Sequence, residues 1–108
     1  MKKIVSLVAM AMVAASLFAA PKIKIGIVNN PPSESGYRAA NVKDFESVFT
    51  KKKGYSVKTY YSLKNDEQQN AASQFITDGV DYLLISAAAT DGWESILKQA
   101  KADRKSVV

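Results

Sequence analysis

The chain has no histidine and no cysteine among its 108 residues. In one step that excludes a Ser-His-Asp triad, a thiol nucleophile and the common zinc ligand sets. It also removes disulfides, the usual support of a small secreted domain, so stability must come from packing or from more chain. Glycine is scarce too. The five glycines, at positions 26, 36, 54, 79 and 92, lie too far apart for a Gly-x-Gly-x-x-Gly or Walker loop, which leaves no glycine-rich phosphate cradle. Asp66, Glu67 and Asp91 lack the loop spacing of a calcium site, so neither a metal nor a cofactor is expected. Asp78 and Asp81 flank Gly79 at a spacing that suits a helix stop and a turn better than a paired acid and base. The catalytic options left are carboxylates, lysine and tyrosine, and an enzyme is not expected.

Long apolar runs are also rare, and the single one has a particular setting. Lys2 and Lys3 precede an apolar stretch from Ile4 to Phe18, interrupted by Ser6 and Ser16 and closed by Ala19, Ala20 and Pro21. This is the charged-then-apolar order of a secretory signal, and it is shorter than the roughly 20 residues of a membrane-spanning helix. The signal peptide is read as residues 1–19. No cysteine follows it to carry a lipid, so the product is expected to be soluble in the periplasm. The remaining 89 residues, 20–108, suffice for one small domain at most. Without Lys2 and Lys3 there are 13 basic residues against 10 acidic ones. Such a mild excess, on an exported chain, does not fit nucleic acid as a partner.

Hydropathy periods give the order of elements. Residues 22–28 alternate Ile23, Ile25 and Ile27 with Lys22, Lys24 and Gly26, as a strand does, and Asn29, Asn30, Pro31 and Pro32 stop it. Ser33 or Ser35 can cap a helix with Ala39, Val42, Phe45, Val48 and Phe49 on its apolar face. Lys51, Lys52 and Lys53 are expected in its last turn, offsetting the helix dipole, with Gly54 as the stop. Residues 55–61 are rich in β-branched and aromatic side chains, with Val57, Thr59 and Tyr61 on one face, and predict a second strand. Asn65 or Asp66 opens a second helix carrying Ala72, Phe75 and Ile76, ending at Gly79. The nearly continuous apolar run 80–85, with Val80, Tyr82, Leu83, Leu84 and Ile85, predicts a central strand covered on both faces. Asp91 and Glu94 have the spacing of a capping box for a third helix with Trp93, Ile96, Leu97 and Ala100. Asp103, Arg104 and Lys105 break that helix, and Ser106, Val107 and Val108 open a fourth strand.

The order β-α-β-α-β-α, then a strand, implies an α/β fold with a parallel sheet. In such sheets a ligand binds beyond the carboxyl ends of the strands where the strand order reverses. The segments that reach that end are 29–38, 62–66 and 86–93. The first of them is chemically rich. Glu34, Ser35, Gly36, Tyr37 and Arg38 bring together an acid, a hydroxyl, an open backbone, an aromatic face and a guanidinium. Carboxylate and guanidinium make charge-assisted hydrogen bonds to neighbouring hydroxyls, and an aromatic face packs on the C–H side of a sugar ring. The same residues also suit a plain helix start, with Glu34 favouring the dipole, Tyr37 packed inward and Arg38 solvated. Spacing alone does not choose between the two.

Four segments carry a resemblance: Ser33 through Ala40, Asn65 through Gln68, Phe75 through Asp81, and Asp91 through Lys101. Together they resemble the periplasmic galactofuranose-binding proteins of ABC sugar importers, which have the type I periplasmic binding protein fold. Gly79-Val80-Asp81 is shared widely among type I proteins, whereas Ser33-Glu34-Ser35-Gly36-Tyr37-Arg38 with Gly92-Trp93-Glu94 is the specific part. The resemblance implies that Glu34, Ser35, Gly36, Tyr37 and Arg38 contact a monosaccharide such as galactofuranose or a related aldose. It further implies a membrane permease as partner of the full-length protein, a monomeric state, and no catalysis. Tyr37 stands where the family usually has tryptophan, Gln69 where an apolar helix residue is usual, and Ala87 where proline is common. Family members are much longer and two-lobed. Residues 20–108 are therefore read as an incomplete N-terminal lobe, parallel-sheet β-α-β-α-β-α truncated at the fourth strand, which is not expected to clasp a sugar alone. Other readings are a periplasmic sugar sensor for a chemoreceptor or kinase, a non-functional truncated remnant, and a secreted enzyme using carboxylates. A sugar-responsive repressor shares the fold but would open with a DNA-binding helix-turn-helix.

Overall fold

The computed structural model describes residues 22–103 and 105–108. The expected signal peptide, 1–19, and Arg104 lie outside the described residues. Strand β1, Ile23–Asn29, pairs in parallel with β2, Tyr55–Tyr61, on one side and with β3, Tyr82–Ile85, on the other. Strand β4, Ser106–Val107, adds to β3 in parallel, giving the order β2-β1-β3-β4. Three helices connect them: α1, Gly36–Val48; α2, Asn65–Thr77; and α3, Glu94–Ala102. The expected parallel α/β sheet is thus present.

Helices α2 and α3 cover one face of the sheet. Their apolar stripes, with Ala72, Phe75 and Ile76 from α2 and Ile96 and Ala100 from α3, close over Val28 and Leu83 to make the main core. Gly26 allows the close approach of α2 to β1. A Cβ at that position would stand 2.8 Å from two ring atoms of Phe75, well inside contact distance. Trp93 fixes the start of α3: it is 7% exposed, and its indole N–H donates to Asn65 Oδ1 at 2.9 Å and to the Ala89 carbonyl at 2.8 Å. Asp81 has a structural role, its carboxylate accepting the Lys24 amide of β1 at 2.8 Å.

Four expectations need correction. The three lysines do not close α1. The helix ends at Val48, Thr50 is extended (φ −105°, ψ 153°), and Lys51–Lys53 form a separate single 3-10 turn capped by the Thr50 hydroxyl. Gly54, at φ 94°, stops that turn rather than the helix. Strand β3 begins at Tyr82 instead of residue 80, because the Val80 amide is taken by the Phe75 carbonyl as α2 unwinds through Gly79 at φ 85°. Nor is β3 covered on both faces: Leu83 is fully buried while Tyr82 is 43% exposed. The capping box fails as well. No side chain caps α3, and Asp91 contributes its backbone carbonyl, which accepts from Asn65 Nδ2 at 2.8 Å and Gln69 Nε2 at 2.9 Å.

The apolar face read for α1 is thinly used. Val42 is its only buried residue, Ala39 and Val48 are exposed, and Phe45 and Phe49 are half-buried. Phe49 instead meets Tyr55 edge to face, with ring centroids 5.2 Å apart. On this side of the sheet a hollow of about 260 Å3 opens among Ile23, Ile25, Phe49, Tyr82 and Leu84.

Candidate functional site

The connections run from β1 through α1 to β2 on one side, then through α2 across to β3 on the other. The strand order therefore reverses at β1, and the crevice beyond the carboxyl ends of β1 and β3 is where such a sheet presents a site. Asn29, Arg38 and Ser86 meet there. Pro31 and Pro32 take the chain out of β1 into one 3-10 turn, Pro32–Glu34. Ser35 then caps α1, its Oγ accepting the Arg38 amide at 3.1 Å. Of the two serines considered for this cap, Ser35 holds it. Starting α1 at this point directs Arg38 back over the strand ends.

The Arg38 guanidinium is held from several sides. Its Nη1 donates to Asn29 Oδ1 at 2.8 Å, to Ser86 Oγ at 2.9 Å and, at 3.5 Å, to Asn41 Oδ1. Its Nε donates to Glu34 Oε2 at 3.3 Å, so charge pairing and hydrogen bonding coincide. The side chain of Arg38 is only 13% exposed. Tyr37 is the opposite, 73% exposed, with its ring 5.5 Å from the guanidinium carbon. The plain helix-start arrangement, with Tyr37 inward and Arg38 solvated, is thereby reversed at both residues. Glu34, Tyr37 and Arg38 form one cluster, Ser35 supports it as the cap, and Gly36 leaves open space beside it. Next to the cluster lies a hollow of about 230 Å3 lined by Tyr37, Arg38, Asn41, Phe45 and Ser86 among others.

A second, buried tier joins the loops below. Asn30 is 8% exposed, Ser62 9%, and Gln68 and Asn29 are fully buried. The Gln68 amide lies among Asn30, Ser62, Ser86 and Ala88, one or two from each of the three loops. Among the described residues no buried side-chain nitrogen or oxygen lacks a partner. Sequence reasoning did not find Asn29, Asn41, Ser86 or Gln68 as site residues. Asn29 and Ser86 had one available signal, their place in segments expected at the carboxyl end of the sheet. Asn41 had none beyond being a polar residue on a helix, and Gln68 had only its place in the Asn65–Gln68 segment that carries the resemblance.

Chemically the cluster offers hydrogen-bond donors and acceptors together with an aromatic face. Glu34 and the Arg38 fork present acceptors and donors to vicinal hydroxyls, with the Tyr37 ring beside them. Among the described residues no group of three or more acidic side chains is placed to hold a metal, and no helix is long and apolar enough to cross a membrane.

No protein-family model matches the chain. Individual proteins do. It is 37% identical over 99 residues to the galactofuranose-binding protein of Escherichia coli (strain K12), covering 91% of this chain and 30% of that protein. It is 35% identical over 82 residues to the fructose import binding protein of Bifidobacterium longum (strain NCC 2705), covering 73% of this chain and 24% of that protein. The crystal structure of a galactofuranose binding protein superposes with a TM-score of 0.71 at 32% identity, over 79% of this chain and 28% of the other. Over the part it spans, the chain is similar in sequence and in fold to periplasmic sugar-binding proteins. The chain spans about a quarter to a third of the length of those relatives. Its four-stranded sheet corresponds to part of one periplasmic binding protein lobe, and the relatives are named for binding and import rather than for a reaction.

Proposed function

We propose that residues 20–108 form the sugar-recognising part of an N-terminal lobe of an extracytoplasmic solute-binding protein, exported to the periplasm by a signal peptide at 1–19. Its ligand is a monosaccharide, galactofuranose or a related aldose, delivered to an ABC-type permease. The observation that carries this reading is the placement of Arg38: a guanidinium held at the strand-order reversal by Asn29, Ser86 and Glu34, with an exposed Tyr37 ring beside it. Sugar recognition uses that combination, a charged fork for hydroxyl pairs and an aromatic face for ring C–H groups. The names of the relatives, for galactofuranose binding and for fructose import, support the substrate class. Tyr37 offers a smaller face than tryptophan and adds a hydroxyl, which favours a sugar with one further polar contact.

The cluster touches a ligand from one side. Binding by the chain itself is therefore expected to be weak, with Kd of about 1 mM or above, near −4 kcal/mol. Titration of the isotopically labelled chain with methyl β-D-galactofuranoside, fructose and galactose tests the reading. Saturable amide shifts centred on Gly36, Tyr37, Arg38 and Ser86 are expected. Shifts scattered over the surface, or none with any of the three sugars, would sink it.

A further inference from the structure

Gln68 is fully buried and uncharged. Its side-chain amide nonetheless reaches all three loops at the carboxyl end of the sheet. The Nε2 group donates to Asn30 Oδ1 at 3.0 Å in the loop after β1 and to the Ser62 carbonyl at 2.8 Å in the loop after β2. At 3.3 Å it also reaches the Ser86 carbonyl after β3. Its Oε1 accepts the Ala88 amide at 2.8 Å. Donor and acceptor capacity of the amide are both used, in a place where an unpaired polar group is costly. Ser62 is tied further, its hydroxyl donating to Glu67 at 2.8 Å and accepting the Lys64 amide at 3.0 Å.

The link continues to the site. Ser86 lies between Gln68 and Arg38: its carbonyl accepts from Gln68, and its Oγ accepts from the Arg38 guanidinium at 2.9 Å. Asn29 and Asn30 close a second route, since the Asn30 amide donates to Asn29 Oδ1 at 2.8 Å and Arg38 Nη1 donates to the same oxygen. We infer that Gln68 is a positioning residue of this site, fixing the Ser86–Ala88 and Asn29–Asn30 backbones so that the Arg38 guanidinium is held where a ligand meets it. The role of the site in sugar binding rests on the proposal above; the linkage from Gln68 to Arg38 does not.

Gln68→Met keeps the shape of the side chain and removes both halves of the amide. By nuclear magnetic resonance, the Ala88 amide of this variant is expected to exchange with solvent at least about tenfold faster relative to the Ile76 amide of the same sample, marking local rather than global opening. The Arg38 Nε–H signal is expected to move and broaden. Ser86→Ala, which spares the bonds of Gln68, should displace the Arg38 signal while leaving Ala88 protected. Equal acceleration of Ala88 and Ile76, or an unmoved Arg38 signal, would overturn the inference by reducing Gln68 to a contributor to stability. Should Gln68→Met not fold, the wild-type chain decides: the Gln68 side-chain protons are expected to exchange far more slowly than those of exposed Asn70, and equal rates would refute the buried tie. Methyl β-D-galactofuranoside is titrated separately. If the wild type binds it, Gln68→Met should weaken binding at least about fivefold, beyond any loss of folded protein. If the wild type does not bind it, the sugar reading fails, and the exchange and Arg38 signals still judge Gln68.

Discussion

Arg38 shows how much depends on the shape of one side chain. Its charge is matched by Glu34, but Asn29 and Ser86 are matched by the fixed geometry of a guanidinium, whose Nη1 reaches both. A lysine would bring a point charge on a flexible stem and could not hold all three partners. Arg38→Ala is expected to lower the unfolding free energy by about 1–3 kcal/mol, the range for lost hydrogen bonds to a charged group. Arg38→Lys should recover less than half of that. Urea denaturation measures both, and full recovery by lysine would show that charge alone matters. What was legible at this scale was the residue set. Glu34, Tyr37 and Arg38 could be picked out because acid, aromatic and guanidinium stand close in sequence. Asn41 and Gln68 could not, because a buried amide is identified by the groups it meets after folding. Gln68 sits in the run Asn65-Asp66-Glu67-Gln68-Gln69-Asn70, where composition alone suggests a solvated helix face.

Elements whose local signals agree with their surroundings are legible in the sequence. Strand β1 ends one residue beyond the expected 28, β2 matches residues 55–61, and α2 opens at Asn65 as its polar first turn suggests. Expectation and structure part where a periodic pattern says nothing about what stands opposite. The apolar positions of α1 recur at helical spacing, yet only Val42 among them is buried, with Phe45 and Phe49 half-buried and Ala39 and Val48 exposed. Residues 80–85 are mostly apolar, as a doubly covered strand would be, yet within β3 itself only Leu83 is buried. Spacing for a capping box at Asp91 was likewise overridden, since Gly92 at φ 83° turns the chain and Asn65 and Gln69 take the Asp91 carbonyl. Close packing between elements gives the prediction at this scale. Gly26→Ala drives a methyl against the Phe75 ring, and an overpacked core typically loses about 1–3 kcal/mol. Thermal melts of Gly26→Ala, Phe75→Leu and the double variant form a cycle. The pair is expected to couple, with Phe75→Leu less harmful in the alanine background because the smaller side chain leaves room for the new methyl. Additive losses would place the strain elsewhere.

At the scale of the molecule the sheet has two unlike sides. One carries α2 and α3 over a continuous core. The other carries α1 and leaves Ile23 and Tyr82 each 43% exposed around an apolar hollow. Neighbouring residues of β3 sample the two sides, since successive side chains of a strand point opposite ways. Leu83→Ala empties a site in the main core and is expected to cost about 2–5 kcal/mol. That is a large part of the roughly 5–15 kcal/mol that holds an ordinary domain together, so the variant should melt well below the wild type. Tyr82→Lys replaces a side chain already half in water and should change the melting free energy by no more than about 0.5 kcal/mol, as surface substitutions do. It should, however, reduce the binding of an environment-sensitive apolar dye to the folded chain, which wild type is expected to bind at the hollow. Circular dichroism melts and dye fluorescence on the same samples separate the two effects. If Tyr82→Lys destabilised the chain as strongly as Leu83→Ala, the side of the sheet bearing α1 would have to be closed in solution, and the asymmetry between the two faces would not hold.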